Sequence, residues 1–209
     1  MVVLHYTAMA EASRAADWLC NPESEVSAHY LIARDGEVLS LVPEALRAWH
    51  AGAGGWGQVS DVNSRSIGIE IDNPGNAPFA PKQMAALDTL LDGIFKRWHI
   101  RPERVIGHSD MAPGRKVDPG PFFDWKRLAQ AGFSVWPQMP ERVAAPDMGR
   151  FRALAAAFGY TSDATDDVLL SAVRLRFRPG HSGPLDATDM AIIEDLAARY
   201  PVDVNATWV

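Results

Sequence analysis

Ser66-Ile67-Gly68-Ile69-Glu70-Ile71-Asp72, followed after Asn73-Pro74-Gly75 by the stretch Pro81 to Trp98, sets the fold class of this chain. In the first segment Ile67, Ile69 and Ile71 face one side of a strand, while Gly68, Glu70 and Asp72 face the other. In the second, Met84, Leu87, Leu90, Leu91, Ile94, Phe95 and Trp98 recur at helical spacing, a stripe that belongs to a core. Strands alternating with long helices indicate an α/β architecture. Glu70 is conspicuous in this setting. A carboxylate among three isoleucines is expensive unless it is paired, catalytic, or in water on the polar face of an edge strand.

Working outward, Val2 to Thr7 reads as a short buried strand carrying His5, and Met9 to Cys20 as an alanine-rich helix stopped by Asn21-Pro22. Ser27 to Ala33 and Glu37 to Val42 read as strands joined through Arg34-Asp35-Gly36, because glycine accepts the positive φ of a tight hairpin turn. The glycine-rich run Ala48 to Gly57 carries Trp49, His50 and Trp56. It fits a substrate-cleft wall, or a flexible loop with Trp49 anchored in the core. His99, just past the long helix, reads as a cation facing the helix dipole. Arg104-Val105-Ile106 is a short strand, and Pro121 to Ala131 is the helix expected to follow the next loop.

That loop, Gly107 to Pro121, holds an imidazole (His108), an ammonium (Lys116) and a carboxylate (Asp118) between prolines and glycines. His108 and Asp118 are donor types that bind Zn²⁺, but a catalytic zinc needs three protein ligands and an open position, so a third ligand must come from elsewhere. If the backbone is extended there, Lys116 and Asp118 leave the same face. By spacing alone such a pair is more often a helix cap, an Asx-turn and a solvated imidazole than a metal site.

Ser134 to Asp147, with Pro137, Pro140 and Pro146 and no apolar periodicity, suits a linker. Beyond it, Phe151-Leu154-Ala155-Phe158, Leu169-Ala172-Val173-Phe177 and Ile192-Ile193-Leu196-Ala197-Tyr200 each show a helical stripe. The last two follow the same tetrapeptide, Asp163-Ala164-Thr165-Asp166 and Asp186-Ala187-Thr188-Asp189, a source of cap oxygens. The expected product is a small C-terminal three-helix bundle without catalytic groups of its own.

Composition narrows the classes. The 209 residues suit one domain of ordinary size plus an appendage, and 47% hydrophobic with 22% charged residues is ordinary globular usage. A net charge of −6 and a pI near 5.5 argue against nucleic acid as a partner. The single cysteine, Cys20, leaves any metal site to histidine and carboxylate. No export leader or membrane span is readable, so a cytoplasmic location is expected, with the periplasm or cell envelope as the alternative if an export signal precedes this sequence.

Six motifs in order complete the reading: Leu4-His5-Tyr6-Thr7, Ser27-Ala28-His29-Tyr30-Leu31-Ile32, Ala48-Trp49-His50-Ala51-Gly52, Ile67-Gly68-Ile69-Glu70-Ile71, Gly107-His108-Ser109-Asp110 and Arg115-Lys116-Val117-Asp118-Pro119-Gly120. Together they resemble the zinc-dependent N-acetylmuramoyl-L-alanine amidases of the type 2 family, which share the peptidoglycan recognition protein fold. The resemblance implies a central mixed β-sheet flanked by helices, with a catalytic domain at 1–133, a linker at 134–147 and a peptidoglycan-binding-like helical domain at 148–209. It implies one Zn²⁺ per chain held by His5, His108 and Asp118, with Glu70 as catalytic carboxylate and Lys116 as the cation beside the reacting carbonyl. Tyr30, Trp49, His50 and Asn73 match positions near the substrate. The implied reaction is hydrolysis of the amide joining N-acetylmuramic acid to L-alanine in peptidoglycan or muropeptides. A non-catalytic peptidoglycan-binding protein is the alternative.

Overall fold

Five strands form one mixed sheet in the order β3-β2-β4-β1-β5: β1 is Val2–Tyr6, β2 Tyr30–Ile32, β3 Val38–Ser40, β4 Ile67–Ile71 and β5 Val105–Gly107. This computed structural model describes residues 1–140 and 144–203. Residues 141–143 of the expected linker and 204–209 of the expected helical domain lie outside the described residues. β1 sits between β4 and β5, parallel to both, and β2 runs parallel to β4. Only β3 is antiparallel, paired with β2 across the turn at Gly36, whose φ of +94° is the conformation glycine tolerates. The Asp-Gly hairpin signal thus marks the one reversal in the sheet.

The helices are α1 Ala12–Cys20, α2 Val62–Arg65, α3 Pro81–Trp98, α4 His108–Met111, α5 Trp125–Gln130, α6 Met148–Phe158, α7 Asp166–Phe177 and α8 Ala187–Arg199. The long apolar stripe gives α3 its predicted bounds. Proline opens it, and His99 closes it in the left-handed conformation, its N–H bonded to Phe95 O. His99 therefore acts through its backbone as a C-cap. α5 is shorter than expected, because Asp124 accepts from Arg127 N and starts the helix there. The shared tetrapeptide does not give equal starts. Asp186 caps α8, whereas α7 begins at Asp166, the last residue of its copy.

Strand alternation divides the core. Val2 and Leu4 of β1, with Ile67, Ile69 and Ile71 of β4, pack with Leu87, Leu91 and Ile94 of α3 and Leu128 of α5. The neighbouring Val3 and Ile106 belong to a second cluster, shared with Phe151 and Phe158 of α6, Leu169 and Val173 of α7, and Ile193 and Leu196 of α8. The described part of the C-terminal helical segment thus shares a continuous core with the sheet. Val135, within the expected linker, is buried in that cluster too. Each buried Leu, Ile or Phe contributes about 1.5–3 kcal/mol, against about 0–1 kcal/mol for an exposed ion pair such as Arg152–Asp166. Apolar packing therefore decides where these helices sit.

Candidate metal centre

Three side chains from distant parts of the chain meet at the C-terminal end of the central strands. His5 lies near the end of β1, His108 begins α4 directly after β5, and Asp118 follows in the succeeding turn, where its carbonyl accepts from Ser109 N at 3.0 Å. His5 Nδ1 lies 3.0 Å from His108 Nδ1 and 2.8 Å from Asp118 Oδ2, and His108 Nδ1 lies 3.0 Å from the same oxygen. All three residues are buried. The loop expected around His108 begins as a helical turn, so its imidazole is held by regular backbone.

The outer hydrogen bonds of both rings accommodate a tautomer in which each Nδ1 is free of a proton. His108 Nε2–H donates to Ala51 O at 2.7 Å, leaving Nδ1 as a lone pair. His5 Nε2 faces His50 Nδ1 at 3.0 Å, His50 Nε2 faces Ser66 Oγ at 3.2 Å, and Ser66 Oγ–H donates to Val62 O. With every proton directed outward along this chain each donor has an acceptor, and His5 Nδ1 is a lone pair as well. Burial first, and His108 beside it, lower the His5 pKa to about 4, against the pull of Asp118, so the ring is neutral at pH 7. Two imidazole nitrogens and a carboxylate oxygen thus face one another, a donor set that fits a divalent cation, with outer hydrogen bonds orienting the two rings.

His50 is seated by two features absent from the sequence reading. Asn63 Oδ1 accepts from His50 N at 3.0 Å and Ala51 N at 2.8 Å. Gly68 leaves the space the ring occupies: a Cβ there would lie 2.3 Å from His50 Cγ. A glycine inside an alternating strand was the available signal, since it marks close approach of another group.

Glu70 is the register partner of His5 across the β1–β4 pair, so its side chain leaves the same face of the sheet. Its Oε2 is buried with no hydrogen-bond partner. Burial, and then Asp118, push its carboxyl well above the ordinary value, while the Lys116 charge opposes the rise. Lys116 is exposed, lines the same cleft and makes no side-chain hydrogen bond among the described residues. The cleft encloses about 370 Å³, with Tyr6, Trp18, Leu19, Trp49 and Val117 among its walls. Trp49 is half exposed there, under the guanidinium of Arg47 at 4.3 Å.

Two residues expected near the substrate lie elsewhere. Tyr30 pairs with Ile69 in β4 and so points to the α3 side of the sheet, where its hydroxyl donates to Glu44 Oε1 at 2.8 Å. Asn73 is buried and occupied by its own loop, accepting from Gly75 N and donating to Ala77 O. Neither lines the cleft. His50 reaches it mainly as the partner of His5.

A mixed sheet that gathers two imidazoles and a carboxylate beside a half-buried glutamate with an enclosed Oε2 and an exposed ammonium has the layout of a metal-assisted hydrolase. The profile of one family, described as N-acetylmuramoyl-L-alanine amidase, matches residues 1–121. The chain belongs to that family. It is 37% identical over 237 residues to the N-acetylmuramoyl-L-alanine amidase AmiD of Escherichia coli (strain K12), covering 97% of this chain and 84% of that protein. The solved complex of AmiD from E. coli with the substrate anhydro-N-acetylmuramic acid-L-Ala-D-gamma-Glu-L-Lys superposes with a TM-score of 0.87 at 35% identity, over 96% of this chain and 89% of that one. AmpDh3 from Pseudomonas aeruginosa, in complex with anhydromuramic pentapeptide, gives 0.88 at 34% identity, over 96% and 92%. Among the described residues no helix is long and apolar enough to cross a membrane.

Proposed function

We propose that the chain hydrolyses the amide between the lactyl group of N-acetylmuramic acid and L-alanine in anhydromuropeptides, with one zinc ion held by His5, His108 and Asp118. The observation that carries this reading is the orphaned, buried Glu70 Oε2 on the same sheet face as His5, whose Nδ1 completes the donor triangle. Zinc held there would supply Lewis acidity, polarising the amide carbonyl and acidifying water at neutral pH. Glu70 takes the proton of the attacking water and passes it to the leaving amine of L-alanine. Its surroundings suit both halves of that task, because burial makes the carboxylate a stronger base and Lys116 keeps the ionised form accessible. Lys116 places its ammonium where charge grows on the carbonyl oxygen, an interaction worth about 3 kcal/mol of barrier. Trp49 gives the sugar or peptide an apolar wall.

Support for anhydromuropeptides comes from the ligands of the two solved relatives, and the cleft is open enough for a larger fragment. Incubation with anhydro-N-acetylmuramoyl-tripeptide, after chelation and after zinc is restored, tests the proposal. Zinc-dependent release of a free L-alanine amine is expected; binding without turnover would replace the amidase by a recognition protein. A glycan-binding role for the helices from residue 148 onward, and the domain division at 133 and 147, belong to the same proposal on the likeness of the sequence. Retention on isolated sacculi with the cleft blocked by product tests that role. Fractionation of the native cells tests the cytoplasmic location against the envelope.

A further inference from the structure

We propose that Arg176 of α7 is a positioning residue for the metal centre: acting through Asp110, it fixes the helical turn that presents His108. The inference rests on the metal-binding reading above and assigns part of that function to the C-terminal helices.

Asp110 lies two residues after His108 in α4 and is fully buried. Its Oδ2 accepts from Gly107 N at 2.7 Å and from Arg176 Nη1 at 2.7 Å, and its Oδ1 accepts from Tyr160 Oη at 2.6 Å. Gly107 is the residue through which β5 passes into α4, so this carboxylate ties down the backbone on both sides of His108. The same guanidinium donates through Nη2 to Val105 O in β5 at 3.1 Å and to Ser134 Oγ at 3.0 Å, with its carbon 4.2 Å over the Trp125 ring. One side chain from α7 thus grips the strand leading into His108, the turn that carries it, and the segment after α5.

A buried ion pair is a weak source of stability, since desolvating both charges offsets most of their attraction. What it supplies is direction. Arginine's planar fork sets distances and angles that apolar packing leaves loose. The metal centre needs that precision, because its three donors come from separate segments and only His5 sits within the sheet. Asp118 depends on the same turn through Ser109 N, so a shift of α4 moves two of the three donors together. Outer-shell partners of this kind typically alter metal affinity by about 10- to 100-fold.

Tyr160→Phe keeps the ring against Trp56 and removes only the hydroxyl, while Arg176→Lys keeps the charge and loses the fork. The control is Ile193→Val, a buried apolar α8 position that takes no part in these hydrogen bonds. The experiment loads full-length protein with zinc, adds a chelating indicator well below the unfolding temperature, and follows zinc loss alongside each variant's thermal midpoint. Zinc loss at least about 10-fold faster from Tyr160→Phe and Arg176→Lys, with Ile193→Val within about twofold of the wild type, is expected. Equal loss rates in all three variants would assign the network to folding alone and overturn the proposal while leaving the amidase reading intact. A wild-type protein that takes up no zinc would overturn both.

Discussion

His5 and Glu70 are register partners on adjacent parallel strands, so the proposed metal ligand and the proposed catalytic carboxylate share one face of the sheet and one end of the cleft. Their relative position is set by the β1–β4 ladder and depends on no loop. Glu70 is therefore removable without dismantling the donor triangle. Glu70→Gln should lower kcat by about 10²- to 10⁴-fold with zinc content unchanged. Loss of zinc in step with activity would show that the carboxylate serves the ligand set instead.

The raised carboxyl of Glu70 has a signed consequence for stability. A group whose pKa rises on folding contributes stability that is complete below its unfolded value, near 4.5, and is lost as the pH climbs through the folded value. Metal-free wild type should therefore weaken relative to metal-free Glu70→Gln as the pH rises above about 4.5. Urea denaturation of both chelated proteins at pH 5 and pH 8 checks this, and a difference that stays constant between the two would contradict it.

Gly68 and His50 occupy one space, with 2.3 Å between an added Cβ and the imidazole. Gly68→Ala should cost about 1–3 kcal/mol of stability by overpacking and speed zinc loss by tilting His50 away from His5. In a His50→Ala background the same change should be nearly neutral. Additive costs in that double-mutant cycle would refute the steric account.

The Lys116 side chain is exposed and makes no hydrogen bond among the described residues, so its removal leaves the fold unchanged. Lys116→Ala is expected to lower kcat by about 10²-fold or more with KM nearly unchanged and the thermal midpoint within about 1 °C. A change confined to KM would recast Lys116 as a substrate anchor.

Chelation should lower the thermal midpoint as well as abolish turnover. A ligand present at about 1,000 times its Kd stabilises by about 4 kcal/mol, or about 10 °C for a chain of this size. Calorimetry before and after zinc is restored measures it. Tyr30→Phe supplies the contrasting case: its hydroxyl serves Glu44 on the far side of the sheet, so about 1 kcal/mol of stability should be lost with KM unchanged.

Periodicity carried most of the architecture. Ile67-Gly68-Ile69-Glu70-Ile71 and the α3 stripe are local patterns, and a period of two or of 3.6 dictates which side chains share a face. The sequence by itself therefore determined the strands, the long helix, the hairpin at Gly36 and the chemical types available to a metal. It also exposed Glu70 as a misfit in an apolar strand. Which donors meet was a different matter. His5 and Asp118 lie 113 residues apart, and only the parallel crossovers of the sheet bring them to 2.8 Å. Tyr30 and Asn73 carry suitable side chains, yet strand parity turns one to the α3 side and loop hydrogen bonds occupy the other. The burial of Arg176 against Asp110, and with it the joining of the C-terminal helices to the turn bearing His108, follows from packing between layers. Local pattern fixes the face a residue occupies; contacts across layers fix its partner, because they depend on how whole elements stack.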